Sequence, residues 1–355
     1  MNILWDFRLF SYGYGKRGAG NYCRALANAI LKNRFPYKLL VWGDKSKVSG
    51  ISFNHPVTWI PYSSGNWKKD LLTIPLISWL YRIDIFHYWI ALGPLYNIGI
   101  AAFNRGRTIA VVYDLGLELW NIPYCQVMKN SLYWKTQKTL VKKINHLLFI
   151  SESTKKDFSN AFPHSKNDSD VLYMPLVDQF KPNQKRQLYL ITLGGSPHKN
   201  LARTLKAFSS IHASYPDFKL IVLGEVNKDE ESINYIPENV IFEPDMAGYK
   251  EHLKRSSGLL FCSIYEGLGI PPLDAMANGC PVLVSDIQSH NETCGSFAKK
   301  ANPFSIDSIA DGILDIIKNN QYWSQCARNG FIRYMKSCSY SARKCIGLYD
   351  KFSTK

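Results

Sequence analysis

Paired cysteines are missing from this sequence of 355 residues: none of the eight forms a C-x-x-C pair or follows a zinc-finger spacing. That removes disulfide-exchange and structural-zinc readings. Most of the cysteines sit among apolar neighbours, as buried reduced thiols do. Acid is scarce, with 28 Asp and Glu against 43 Lys and Arg, a formal net charge of +15. Charged residues make up only 20% of the chain while aromatics reach 14%, which excludes a disordered or fibrous polymer. No segment repeats at a period that would build a solenoid. Long uncharged runs are also lacking, apart from Ile85 to Phe103. This run is nearly long enough to span a bilayer. His87, the Gly93-Pro94 break, Asn97 and Gly99 would leave polar groups unsatisfied in hydrocarbon, so a strand, a turn and a buried helix are expected instead. Asp6 and Arg8 fall too early for the apolar core of a secretion signal, and the expected compartment is the cytoplasm.

What the sequence does contain is enough apolar material, 46% of residues, for two full cores. Short apolar runs alternate with longer helical patterns, the signature of parallel sheets with helices on both faces. Strands are predicted at Asn2 to Asp6, Tyr37 to Trp42, Ile83 to His87, Thr108 to Tyr113 and His146 to Ile150. A second set is predicted at Tyr189 to Leu193, Lys219 to Leu223, Val240 to Phe242, Gly258 to Phe261 and Pro281 to Val284. The fold class is therefore α/β, with two Rossmann-like doubly wound domains facing across a cleft. The expected boundaries are residues 1–178 and 188–355, joined by a polar linker at 179–187, with the last helix a candidate for packing back on the first domain. Residues 1–180 carry 22 basic and 11 acidic side chains, so the first half is the one that should attract anionic partners.

The most informative segment is Ser263 to Asp286, SIYEGLGIPPLDAMANGCPVLVSD. Gly267 and Gly269 let backbone amides approach a ligand, and Pro271 and Pro272 suit a first helical turn. A helix start of this kind favours an anion such as a diphosphate. Glu266 is expected on the loop and Asp274 on the first turn of the helix, both able to accept hydrogen bonds from hydroxyls. A sugar nucleotide presents hydroxyls at both ends and a diphosphate between them. Without the rest of the stretch, a Gly-x-Gly turn would be read only as closing a Rossmann-like unit.

The stretch resembles the E-x7-E signature of retaining glycosyltransferase family 4, a family of GT-B architecture, with Leu268 for the usual Phe and Asp274 for the usual second Glu. By that resemblance Glu266 approaches the donor sugar and Asp274 the ribose, with Gly267, Leu268, Gly269 and Ile270 forming the donor loop. A second element, Leu193 to Phe208, resembles the family's R-K-N segment. Lys199 is there the implied diphosphate clamp, beside His198 where the family has Arg. A fixed cation stabilises the charge that gathers on a leaving diphosphate.

In the first half, Tyr12 to Leu26 resembles the family's glycine-rich loop, which implies that Gly18 and Gly20 face the diphosphate and acceptor. Lys16 and Arg17 are equally an acceptor contact or solvated charges. Ala110 to Leu115 aligns with the family's strand ending in T-x-H-D-L. Asp114 keeps its place there, and Tyr113 stands where His is common. Catalytic roles are implied for Glu266, Asp114 and Tyr113, although the last two also suit ordinary strand ends. His87 reads as a core or rim residue. Ser151-Glu152-Ser153 and Met174-Pro175 are markers of the fold. Asp168-Ser169-Asp170 reads as a solvated turn, and neither a metal nor another cofactor is expected.

The stretch Tyr124 to Leu148 reads as one basic amphipathic helix, either resting on an anionic inner membrane face or presenting a solvated lysine face. The resemblance implies a hexosyltransferase using a nucleotide sugar, with GDP-mannose favoured. Its acceptor would be a glycan, lipid-linked, in bacterial O-antigen, capsule or lipopolysaccharide synthesis, and nucleic acid is not an expected partner. The rival readings are a non-catalytic basic protein binding membrane or nucleic acid, and an epimerase or hydrolase using the same donor pocket.

Overall fold

A computed structural model describes residues 1–62, 67–92, 106–119, 123–176, 186–226, 233 and 236–353. The chain divides into two compact units, Met1–Val177 together with Ser337–Lys355, and Asp178–Lys336. The expected linker at 179–187 lies outside the described residues except for Arg186 and Gln187, and so does the part of the uncharged run beyond Leu92.

The first unit is built on seven parallel strands: β1 (Asn2–Asp6), β2 (Lys38–Gly43), β3 (Val57–Pro61), β4 (Ile85–Tyr88), β5 (Arg107–Val112), β6 (His146–Phe149) and β7 (Asp168–Val171). They lie in the order β3-β2-β1-β4-β5-β6-β7. The inner strands are apolar and almost wholly buried, as strands covered by helices on both faces must be. The strand order reverses between β1 and β4, where a doubly wound sheet opens a crevice at the carboxyl ends of its strands. At that end of β1, Arg8 is buried between two carboxylates, with its Nε 2.8 Å from Asp6 Oδ1 and its Nη1 2.8 Å from Asp70 Oδ2. Asp6, Arg8 and Asp70 thus form a buried ion group.

The second unit carries six parallel strands: β8 (Gln187–Leu193), β9 (Lys219–Leu223), β10 (Val240–Glu243), β11 (Ser256–Phe261), β12 (Val282–Ser285) and β13 (Lys299–Ala301). Their order is β10-β9-β8-β11-β12-β13, with the reversal between β8 and β11. One helix layer comes from Leu201–Ile211 and Ile306–Lys318. The first buries Leu201, Leu205, Phe208 and Ile211, and the second Ile309, Ile313 and Ile316, at the spacing of one helical face. These side chains close over Leu190, Leu220, Val222 and Leu260 of the sheet.

Two features differ from the sequence expectation. The basic stretch is two short helices, Pro123–Asn130 and Leu132–Val141, followed by β6. Ser131 separates them, because its Oγ accepts the Trp134 N–H at 3.1 Å and starts a new helix. Lys138 there is 3.0 Å from Glu118, an acid outside the stretch. Asp168 to Asp170 is the start of edge strand β7 and not a turn, and Asp170 contacts His146 and Lys344. No helix among the described residues is long and apolar enough to cross a membrane.

The last helix, Ser341–Ser353, belongs to the first unit. Its Tyr349 hydroxyl accepts from Trp5 Nε1 at 3.1 Å and shares a hydrogen bond with His87 Nδ1 at 2.6 Å. Burial lowers the His87 pKa to about 3, so the ring is neutral. Tyr349→Phe leaves a buried N–H and a buried ring nitrogen without partners. It should destabilise the protein by about 1–3 kcal/mol in urea unfolding. An unchanged midpoint would contradict this role of the hydroxyl.

Candidate functional site

Lys199 and Glu266 are 67 positions apart in the chain, and the strand order of the second sheet makes them neighbours. β8 ends at Leu193 and leads into the turn that carries Lys199; β11 ends at Phe261 and leads into the loop that carries Glu266. Because β8 and β11 pair directly, both loops leave the same place on the sheet edge, at its topological switch point. Backbone and side-chain bonds stitch them together. Ile264 N–H donates to the His198 carbonyl at 2.8 Å, and Asn200 Nδ2 donates to the Cys262 carbonyl at 3.0 Å and the Pro303 carbonyl at 2.7 Å. Asn200 takes a left-handed conformation, φ 62°, which turns the chain into the helix Leu201–Ile211.

Lys199 Nζ lies 2.6 Å from Glu266 Oε1 and 4.7 Å from the centre of the Phe261 ring. The pair is largely shielded, with side-chain exposures of 19% and 13%. Burial works to raise the Glu266 pKa and is the largest influence on it, but the Lys199 ammonium and its hydrogen bond, with His198 and His290 nearby, hold the carboxyl below its ordinary value. Glu266 is therefore a carboxylate. Burial, with Lys199 beside it, lowers His198 to about 4, so the residue standing beside Lys199 is neutral. Of the two neighbours, Lys199 alone carries positive charge.

Gly269 adopts φ 82° and heads the helix Ile270–Ala277, with Pro271 and Pro272 in its first turn. Neither proline has an N–H, so the loop amides and that of Ile270, more than the helix body, supply donors for an anion. Gly267 is buried, and Leu268 is a core side chain at 2% exposure. Asp274 sits on the second turn of this helix and not the first, as the fifth residue after the cap. Its Oδ2 lies 3.4 Å from the Tyr249 hydroxyl, a neighbour that has no motif of its own in the sequence. His290, also unforeseen, packs its ring 5.5 Å from that of Phe261.

In the first unit, the residues selected from sequence lie close to one another. The Tyr113 hydroxyl donates to the Ala19 carbonyl at 3.1 Å, tying the end of β5 to the helix Gly18–Leu31. Asp114 is exposed and its Oδ1 accepts from Gly116 N–H at 2.9 Å. Gly18 is exposed at the helix start. Gly20 is buried, and a Cβ there would sit 2.4 Å from the Gly15 carbonyl oxygen. Close backbone packing thus accounts for Gly20 as a glycine. Ser151 caps the helix Glu152–Ala161 through Thr154 N–H. Among the described residues no group of three or more His, Cys, Asp or Glu is gathered to hold a metal ion.

Residues 177–333 match the family model described as glycosyl transferases group 1. The O-antigen chain mannosyltransferase RfbU of Salmonella typhimurium is 25% identical over 277 residues, covering 74% of this chain and 76% of its own. A Campylobacter jejuni enzyme, N-acetylgalactosamine-N,N'-diacetylbacillosaminyl-diphospho-undecaprenol 4-alpha-N-acetylgalactosaminyltransferase, is 24% identical over 79% of this chain and 80% of its own. Among solved structures, HepE from Anabaena in complex with UDP and glucose superposes with a TM-score of 0.71 at 14% identity, over 100% of both chains. The architecture is that of the GT-B fold.

The Lys199–Glu266 pair has a defined pH signature. A carboxylate whose folded pKa lies below its ordinary value adds stability above that value and loses it as pH falls through the folded pKa. Lys199→Met should destabilise the protein by about 1–3 kcal/mol near neutral pH, between the surface and buried limits for ion pairs. The gap to wild type should close as pH falls below the ordinary carboxylate range, where the orphaned acid is neutralised. Urea unfolding at the two pH values checks it, and a gap of constant size would contradict the pairing.

Proposed function

We propose that this chain, a glycosyltransferase whose residues 177–333 match the group 1 family model, moves a mannosyl residue from GDP-mannose to a lipid-linked glycan during synthesis of a bacterial surface polysaccharide. One observation carries the donor half of this reading: an ammonium and a carboxylate meet at the switch point beside a glycine loop that leads into a helix start. A nucleotide sugar supplies what each group needs. Its diphosphate takes the Lys199 ammonium and the loop amides, and its sugar hydroxyls donate to Glu266 once Lys199 turns to the phosphates. Asp274, with Tyr249 beside it, receives the ribose hydroxyls.

Breaking the bond between sugar and phosphate gathers negative charge on the leaving diphosphate, and Lys199 is held where that charge develops. Retention of configuration follows from the family resemblance. The attack then comes from the face that the diphosphate leaves, with the departing phosphate oxygen taking the acceptor proton. Both the acceptor and the Asp114 and Tyr113 contacts are assigned to the first unit, which holds most of the excess positive charge. The names of the Salmonella and Campylobacter relatives, an O-antigen mannosyltransferase and an enzyme acting on a diphospho-undecaprenol substrate, support mannose and a lipid carrier. Exposed Val127 and Leu132, with exposed Lys135, Lys142 and Lys143, support peripheral contact with an anionic inner membrane face and a cytoplasmic location. No metal or other cofactor takes part in this scheme.

Thermal melting in the presence of UDP, GDP, ADP, CMP and their common sugar derivatives tests the donor assignment. A ligand at about one hundred times its Kd stabilises the folded state by about 2.7 kcal/mol. GDP and GDP-mannose should raise the melting temperature by several degrees, and Lys199→Ala should abolish the shift. A shift with another base would replace the donor. Donor consumption with no acceptor present would overturn transfer in favour of an epimerase or hydrolase.

A further inference from the structure

His290 is fully buried at the start of the loop region after β12, on the short helix Gln288–Thr293. Its Nδ1 lies 3.1 Å from the Ser285 carbonyl oxygen. A carbonyl can only accept, so Nδ1 carries the proton and Nε2 of the neutral ring presents a lone pair. That Nε2 is buried and has no hydrogen-bond partner among the described residues. The ring is pressed against the donor loop: a Cβ built on Gly269 would lie 3.0 Å from its Cδ2 and 3.2 Å from its Nε2. It also lies within electrostatic reach of Glu266 and Lys199, and burial lowers its pKa to about 4, which keeps it uncharged.

A purely space-filling position would be served by an apolar side chain, since a buried acceptor without a partner is unfavourable for folding. We propose that His290 is a positioning residue for the sugar end of the donor site, acting through Gly269 and Glu266. Its ring crowds position 269 and packs against the left-handed turn there. Its Nε2 receives a hydrogen bond when the loop closes on the hexose, which sets the Glu266 carboxylate toward the sugar hydroxyls. The nucleotide and its diphosphate are bound by Lys199, the loop amides and Asp274, which need the bulk of the ring against Gly269 but not its Nε2. This inference rests on the reading of Glu266 as the acid that meets the donor sugar.

The test compares binding of a nucleoside diphosphate with binding of the corresponding nucleotide sugar, by calorimetry, in the full chain. The variants are His290→Phe, which keeps a ring but no acceptor, and His290→Gln, which keeps an acceptor near the Nε2 position. His290→Phe should weaken nucleotide-sugar binding about tenfold or more, leave the nucleoside diphosphate within about twofold, and melt within a few degrees of wild type. His290→Gln should recover part of the sugar affinity. Equal loss of both ligands, or a lowered melting temperature that accounts for the loss, would make His290 structural and overturn the assignment. Unchanged sugar binding in His290→Phe would overturn it too. Wild-type protein that binds no nucleotide would overturn the donor-site reading itself, and this inference with it.

Discussion

Two opposite charges held out of water at one end of a sheet are the constraint on which the second unit's chemistry depends. A shielded ammonium or carboxylate is stable only with a partner. In the described structure Lys199 and Glu266 are partners to each other, 2.6 Å apart. Their pairing keeps both charged, and both are of the kinds that a donor molecule can in turn engage. In the proposed reading a diphosphate would replace one partner and sugar hydroxyls the other.

The pairing follows from topology more than from either local segment. A parallel sheet that reverses its order between β8 and β11 sends two loops out side by side. The bonds from Asn200 to the Cys262 and Pro303 carbonyls, and from Ile264 to His198, then fix the separation of those loops. The Arg8 group, at the corresponding reversal between β1 and β4 of the first sheet, answers the same demand differently: three charged side chains are fully enclosed and satisfied by one another and by tyrosine hydroxyls. One switch point is closed by internal ion pairing. The other keeps its pair at the rim, 13% to 19% exposed.

The α/β class and the inner strands were legible in the sequence because strands buried on both faces must be apolar along their whole length, as Ile3 to Trp5 and Leu259 to Phe261 are. The strands that escaped detection, β3, β7 and β13, all lie at sheet edges. An edge strand pairs on one side only and tolerates polar residues, so Asp168-Ser169-Asp170 and Lys299-Lys300 show no apolar run. Lys199 and Glu266 stood out in the sequence because each lies in a stretch that resembles a family motif, and around Glu266 the glycines and prolines also constrain the backbone. Tyr249 and His290 did not stand out, since each comes from a separate short helix and neither carries a neighbouring residue that backbone geometry demands. The break in the basic helix was missed for a related reason: a serine that starts a helix looks like any other polar residue until its N–H partner is in place.

Turnover by Glu266→Ala tests the central claim most directly. The purified variant would be assayed for sugar transfer from its preferred nucleotide sugar to a lipid-linked acceptor, beside wild type, with nucleoside diphosphate affinity measured in parallel. The account predicts a fall in kcat of about 10²–10³-fold or more, the scale of losing one group that stabilises developing charge, with nucleoside diphosphate still bound. Full turnover in the variant would contradict it and move the chemistry away from the Lys199–Glu266 pair.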